Sequence, residues 1–136
     1  MDNKHIEKKI LIHAKPENVW RVFTDPVVTK KMGGTYITDW KEGGTLSWKG
    51  EDGKIYTHGI ILQIEKPILL KHSLLDLETK SNVSSVITYT LEKNGDYTEM
   101  HATEDLTYPM DDEEFDNALE GWDMALDMVK SIAEKL

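Results

Sequence analysis

The chain contains no cysteine. That excludes a disulfide framework, a thiol nucleophile and thiolate-held metals. It has only four prolines, and no proline-, glycine- or serine-rich stretch of the kind that separates domains. One domain spanning 1–136 is therefore expected. Basic residues are in the minority: 16 Lys and Arg stand against 25 Asp and Glu, a formal net charge of −9. An acidic surface repels phosphate backbones and anionic lipid, which argues against nucleic acid and membrane surfaces as partners. No apolar run approaches the ~20 residues that span a bilayer. The first nine residues alternate charged and apolar side chains without an apolar core, so no signal peptide is expected and the default location is cytoplasmic.

Catalytic and metal signatures are also missing. No His-x-x-x-His or Glu-x-x-His pair supplies helical ligand spacing, so no metal is expected. There is no Gly-x-Ser-x-Gly elbow. The pairs Gly33-Gly34 and Gly43-Gly44, and Gly53, open no helix after a strand, and turns explain them better than a phosphate cradle. No cofactor is expected.

What is present is an ordered set of elements. Ile6, Lys8, Ile10 and Ile12 alternate with Glu7, Lys9 and Leu11, the period of a strand. Pro16 suits the first position of a helix carrying Val19, Trp20, Val22 and Phe23. Asp25-Pro26 stops that helix and opens a second, which Gly33-Gly34 ends. Strands follow at 35–40, 45–49, 54–65, 68–75, 83–93 and 96–105, with turn signals between them, including a polar stretch at 78–82. Asn94-Gly95 is a strong hairpin signal. Asp111 with Glu114 has capping-box spacing and opens an amphipathic helix over 112–136, about 37 Å long at ~1.5 Å per residue. Phe115, Ala118, Leu119, Trp122, Ala125, Leu126, Val129, Ile132, Ala133 and Leu136 form its apolar face. This order is α+β.

Four ordered pieces then carry a resemblance. They are 12–20 with Phe23-Thr24-Asp25-Pro26, the Gly-Gly hairpin at 39–44, the stretch 59–70 with Glu65 and Pro67, and Glu120-Gly121-Trp122 in the closing helix. Together they resemble the START-like (SRPBCC) superfamily, in the branch named after the activator of the heat-shock-protein-90 ATPase. One departure stands out: the family often places a Trp shortly after Asp-Pro, where this chain reads Val27-Val28-Thr29-Lys30-Lys31-Met32. The resemblance implies a helix-grip fold: a curved antiparallel sheet wrapped around a long C-terminal helix, with two short helices after the first strand. It also implies an elongated apolar cavity for a lipid or another small hydrophobic molecule. The co-chaperone that names the branch has an additional N-terminal domain engaging the chaperone. These 136 residues do not include it, so a chaperone partner is the weaker expectation.

Strand alternation and the helix face nominate the cavity walls: Trp48, Tyr56, His58, Ile60, Leu62, Leu70, His72, Ile87, Tyr89, Met100, Glu104, Phe115, Leu119, Trp122 and Leu126. Leu46, Leu74, Ala102 and Val129 are expected to face inward with them. The plainer reading is that these residues fill a core. The functional one is that a subset lines a pocket, since pockets are mostly apolar with a few placed polar groups. His58, His72 and Glu104 would be those groups, orienting a ligand or moving a proton. A non-enzymatic carrier or sensor is the first expectation. A cavity enzyme (cyclase, dehydratase or hydrolase) and a chaperone-regulating interaction module are the alternatives. A weak homodimer through exposed strands or the helix edge is compatible with the sequence.

Overall fold

A computed structural model describes residues 5–75, 83–107 and 110–136. The chain begins with β1 (His5–Ile12), whose even-numbered residues turn inward and bury Ile6 and Ile12. Helix α1 (Pro16–Thr24) starts on Pro16 and buries Val19, Trp20, Val22 and Phe23. Asp25 closes α1 and caps α2 (Pro26–Thr29): its Oδ1 accepts the Val27 N–H at 3.1 Å. A 3-10 turn over Lys30–Met32 ends on Gly33, whose φ of 99° favours glycine.

Six more strands follow: β2 (Gly34–Ile37), β3 (Thr45–Gly50), β4 (Ile55–Glu65), β5 (Leu69–Leu75), β6 (Val83–Asn94) and β7 (Tyr97–Leu106). They form one seven-stranded antiparallel sheet in the order β1-β7-β6-β5-β4-β3-β2. Short hairpins link neighbours, and β1 closes the far edge on β7 with Ile6 opposite Glu104. The sheet curves around α3 (Asp112–Ala133), which begins where Asp111 Oδ1 accepts the Glu114 N–H at 2.8 Å. This is the α+β helix-grip arrangement expected from the element order.

The packing of α3 creates the site. Its C-terminal half buries Leu126, Val129, Ile132 and Ala133 against α1 and β1. Lys8 pairs with Asp123 at 2.9 Å, and the Lys130 ammonium donates to the Leu11 carbonyl at 3.2 Å. Its N-terminal half leaves Phe115, Ala118, Leu119, Trp122 and Ala125 only half-buried. The helix thus leans on one side of the sheet and does not fill the concavity over β5 to β7.

Two expectations are corrected here. β2 ends at Ile37 and does not continue to Trp40, because the Trp40 N–H turns back onto Thr38 Oγ1 at 3.2 Å and Trp40 takes a φ of 56°. The register of β4 is one residue off the expected one. Gly59 and Ile61 are the buried residues, opposite Leu46 and His72. Ile60 is accordingly on the convex face. Leu62 is 46% exposed and Tyr56 51% exposed, while His58 sits beside Ser47, its Nδ1 2.7 Å from the hydroxyl. The cause is local: Ile60-Ile61-Leu62 is continuously apolar and has no period, and a bulge between Ile61 and Gln63 then turns Ile64 inward. Position 59 also has to be glycine, since a Cβ there would lie 1.9 Å from the Ser73 carbonyl oxygen. The polar turn expected at 78–82 lies outside the described residues.

Candidate functional site

The concavity holds two adjoining compartments. The inner chamber has a volume of about 160 Å³. Val22 and Phe23 of α1, Thr29, Met32, Tyr36 of β2 and Trp48 of β3 form one side of it. Tyr89 of β6, Met100 of β7, and Trp122, Ala125, Leu126 and Val129 of α3 form the other. Its lining is almost wholly apolar, and aromatic edges shape it: Tyr36 meets Trp48 edge-on at 4.8 Å, and Phe23 meets Tyr89 at 5.1 Å.

The outer compartment, a vestibule of about 320 Å³, lies under the N-terminal half of α3. Leu74, Ile87 and Glu104 line its sheet side, and Ala118 and Gly121 its helix side. Tyr89, Trp122 and Ala125 border both compartments, with the Tyr89 and Trp122 rings 5.9 Å apart and tilted by 57°.

Polar groups are few and placed by the sheet register. One row crosses the concave face: Ile61, His72, Ile87, Glu104 and Ile6 are successive cross-strand neighbours. Glu104 works as a double acceptor. Its Oε1 takes the Trp122 indole N–H at 2.9 Å and its Oε2 takes the Ser85 hydroxyl at 2.8 Å. His72 is 3% exposed. Its Nδ1 lies 3.0 Å from the Ser73 carbonyl, which only accepts, so Nδ1 carries the proton and Nε2 is the acceptor of the neutral ring. That Nε2 has no partner among the described residues. Burial pushes the His72 pKa down, against the opposing pull of the Ser73 carbonyl and Glu104. Burial also pushes the Tyr36 hydroxyl up to about 12. It lifts Tyr89 well above the usual phenol range, with Tyr36 and Glu104 adding to the effect.

Of the residues nominated from sequence, the fold gathers Trp48, Tyr89, Met100, Trp122 and Leu126 on the chamber wall, and Ile87 and Glu104 in the vestibule. Leu70 and His72 are buried on the same concave face without bordering either space. Phe115 and Leu119 are half-buried on α3, outside both linings. Tyr56, His58, Ile60 and Leu62 face away, so the expected polar trio does not converge: His72 and Glu104 share a face that His58 leaves. Sequence reasoning missed Val22, Phe23, Thr29, Met32 and Tyr36. The apolar stripe of α1 was visible, but nothing local says that it roofs a cavity. Tyr36 alternates correctly within its strand and could have been found.

With this geometry in view, comparison with known proteins is decisive for kinship. The family described as "Activator of Hsp90 ATPase homolog 1-like protein" matches residues 13–134. The chain belongs to this family. Solved structures share the fold. A protein of Cytophaga hutchinsonii is 30% identical, with a TM-score of 0.79 over 99% of this chain and 97% of its own. A protein of Mesorhizobium loti is 16% identical, with a TM-score of 0.81 over 97% and 98%. The Aha1 dimer of Colwellia psychrerythraea is 18% identical, with a TM-score of 0.78 over 96% of each chain. No curated protein matches in sequence. Among the described residues no helix is long and apolar enough to cross a membrane.

Proposed function

We propose that this protein binds a small hydrophobic molecule between its sheet and its closing helix, as a non-enzymatic carrier or sensor in the cytoplasm. The observation that carries this reading is the apolar chamber of about 160 Å³ enclosed between α1, α3 and the concave face of the sheet. A space of about 150 Å³ lined by aliphatic and aromatic side chains is enough to take up a benzene-sized molecule. Affinity would come mainly from apolar area removed from water, at ~25 cal/mol per Å² before the costs of association. A chaperone-regulating interaction module predicts an exposed apolar patch and a collapsed cavity, and the open chamber favours the ligand-binding reading over it. A cavity enzyme needs a converging acid–base pair, and losing His58 to the convex face weakens that alternative. The dimer seen in the Colwellia relative is compatible with self-association of this chain.

The test is thermal unfolding against a panel of apolar compounds, including single-ring aromatics, larger planar aromatics, fatty acids and sterols. A ligand at 100 times its dissociation constant adds ~2.7 kcal/mol of stability. For a domain of this size that raises the midpoint by roughly 6–12 °C. A rise with one chemical class and none with the others supports a selective pocket. No rise with any class rejects it.

A further inference from the structure

The vestibule is more specific than its apolar walls suggest. On its helix side Ala118, Gly121 and Ala125 present almost no side-chain volume. Glycine in a helix interior is unfavourable, and here no close approach requires it: a Cβ at 121 would meet nothing within 4 Å. The effect is an open slot between the α3 backbone and the sheet. Tyr89 and Trp122, tilted by 57°, stand at its inner end, and Leu74 and Ile87 lie across from the helix. A flat ring fits such a slot, and aromatic walls favour it further.

The polar side of the vestibule is weighted toward acceptors. A carboxylate offers about four lone-pair sites on its two oxygens. Among the described residues Trp122 and Ser85 use one site on each oxygen, which leaves each with room for one more donor. An entirely apolar occupant would strip water from those sites without replacing it, and leaving an acceptor dry is costly. An anionic head group would bring a like charge against Glu104 in an apolar surrounding, which is worse. A neutral donor satisfies the site.

We propose that the vestibule takes a compact aromatic molecule carrying a hydrogen-bond donor, a phenolic hydroxyl or an aromatic amine N–H, and that Glu104 receives that donor. This rests on the cavity-binding reading above and narrows it to a ligand class.

Calorimetric titration of the whole chain with p-cresol, 4-methylanisole and octanoate tests it. The first two differ chiefly in the donor, which the methyl ether removes. A hydrogen bond to a charged group is strong enough for about a tenfold difference in affinity. p-Cresol is therefore expected to bind about tenfold tighter than 4-methylanisole, with octanoate weakest. Glu104→Gln should cut the p-cresol advantage to about threefold or less, because p-cresol loses its charged acceptor while 4-methylanisole no longer leaves a carboxylate dry. The substituted amide keeps an oxygen for the Trp122 N–H and offers an NH₂ to the Ser85 hydroxyl, and the Trp122 indole N–H resonance reports that the wall is intact. Gly121→Leu, which fills the slot from the helix side, should abolish binding of both aromatics. Equal affinity for p-cresol and 4-methylanisole in the unaltered protein overturns the donor assignment and leaves the cavity reading standing. Absence of binding by both, together with a flat thermal panel, overturns both.

Discussion

Replacing Ala125 with leucine adds three carbons to a side chain that borders both the chamber and the vestibule. The sign of the stability change tells whether that space is real. Alanine and leucine have similar helix propensities, so the backbone is indifferent. Each added carbon that finds unfilled apolar space contributes ~0.8 kcal/mol, about 2 kcal/mol in all. Ordering the longer side chain costs about 0.5–1 kcal/mol. The expected net gain is thus roughly 1–2 kcal/mol, a midpoint rise on the order of 4–8 °C for a domain of this size. Urea unfolding followed by tryptophan fluorescence and by circular dichroism measures it, and an unchanged m-value shows that the unfolded state is not the cause. If the chamber were already filled, the same substitution would overpack it and cost about 1–3 kcal/mol. A lowered midpoint would refute the reasoning. The stabilised variant should also bind apolar ligands more weakly, because leucine takes the space they need.

Other expectations follow from single contacts. Gly59→Ala forces a Cβ to within 1.9 Å of the Ser73 carbonyl oxygen, so β4 and β5 must move apart; a loss of about 3 kcal/mol or more is expected in urea unfolding, and a loss below about 1 kcal/mol contradicts the close approach. Trp122→Phe removes the donor to Glu104 Oε1 and should cost about 1.5–3 kcal/mol, as for a hydrogen bond to a charged group, and most of that cost should vanish on a Glu104→Leu background. Burial holds the His72 pKa below its ordinary 6.5 in the folded chain, so as pH falls the unfolded chain takes up this proton first. Folding stability therefore drops as pH falls below about 6.5 toward the depressed folded value. His72→Phe should flatten that part of the profile between about pH 7 and 5. His5, whose pKa is raised by Asp105, acts in the opposite sense but is exposed and contributes little. An identical slope in wild type and variant contradicts the assignment.

Much of this architecture was legible in the chain because local signals agreed with one another. Pro16, Asp25-Pro26 and Gly33 mark the two short helices. The Asn94-Gly95 turn joins β6 to β7 where expected, with Asn94 opposite Tyr97. Asp111 caps α3 as its spacing with Glu114 indicated. Alternation placed Trp48, His72, Tyr89, Met100 and Glu104 on the correct face, because each lies in a strand with polar residues between apolar ones. It failed on β4, where Ile60-Ile61-Leu62 has no alternation to read and a bulge changes the parity within the strand. The pattern of α3 gave an apolar face but not its tilt. The tilt depends on long-range packing against α1 and β1, including the Lys8 to Asp123 pair, and it decides that Leu126 is buried while Phe115 and Leu119 are not. The cavity was the least legible feature. It is a gap between elements, and α1, the 30–32 turn and β2 contribute to it only once the sheet has curved.

The methionines offer the most direct measurement of the central claim. Met32 and Met100 line the chamber, whereas Met124 and Met128 are exposed on the opposite side of α3. With ¹³C-methyl methionine, a titration with toluene followed by NMR is predicted to move the Met32 and Met100 methyl signals along a saturable curve while Met124 and Met128 stay in place. Four static signals, or shifts confined to Met124 and Met128, would contradict a ligand cavity between sheet and helix.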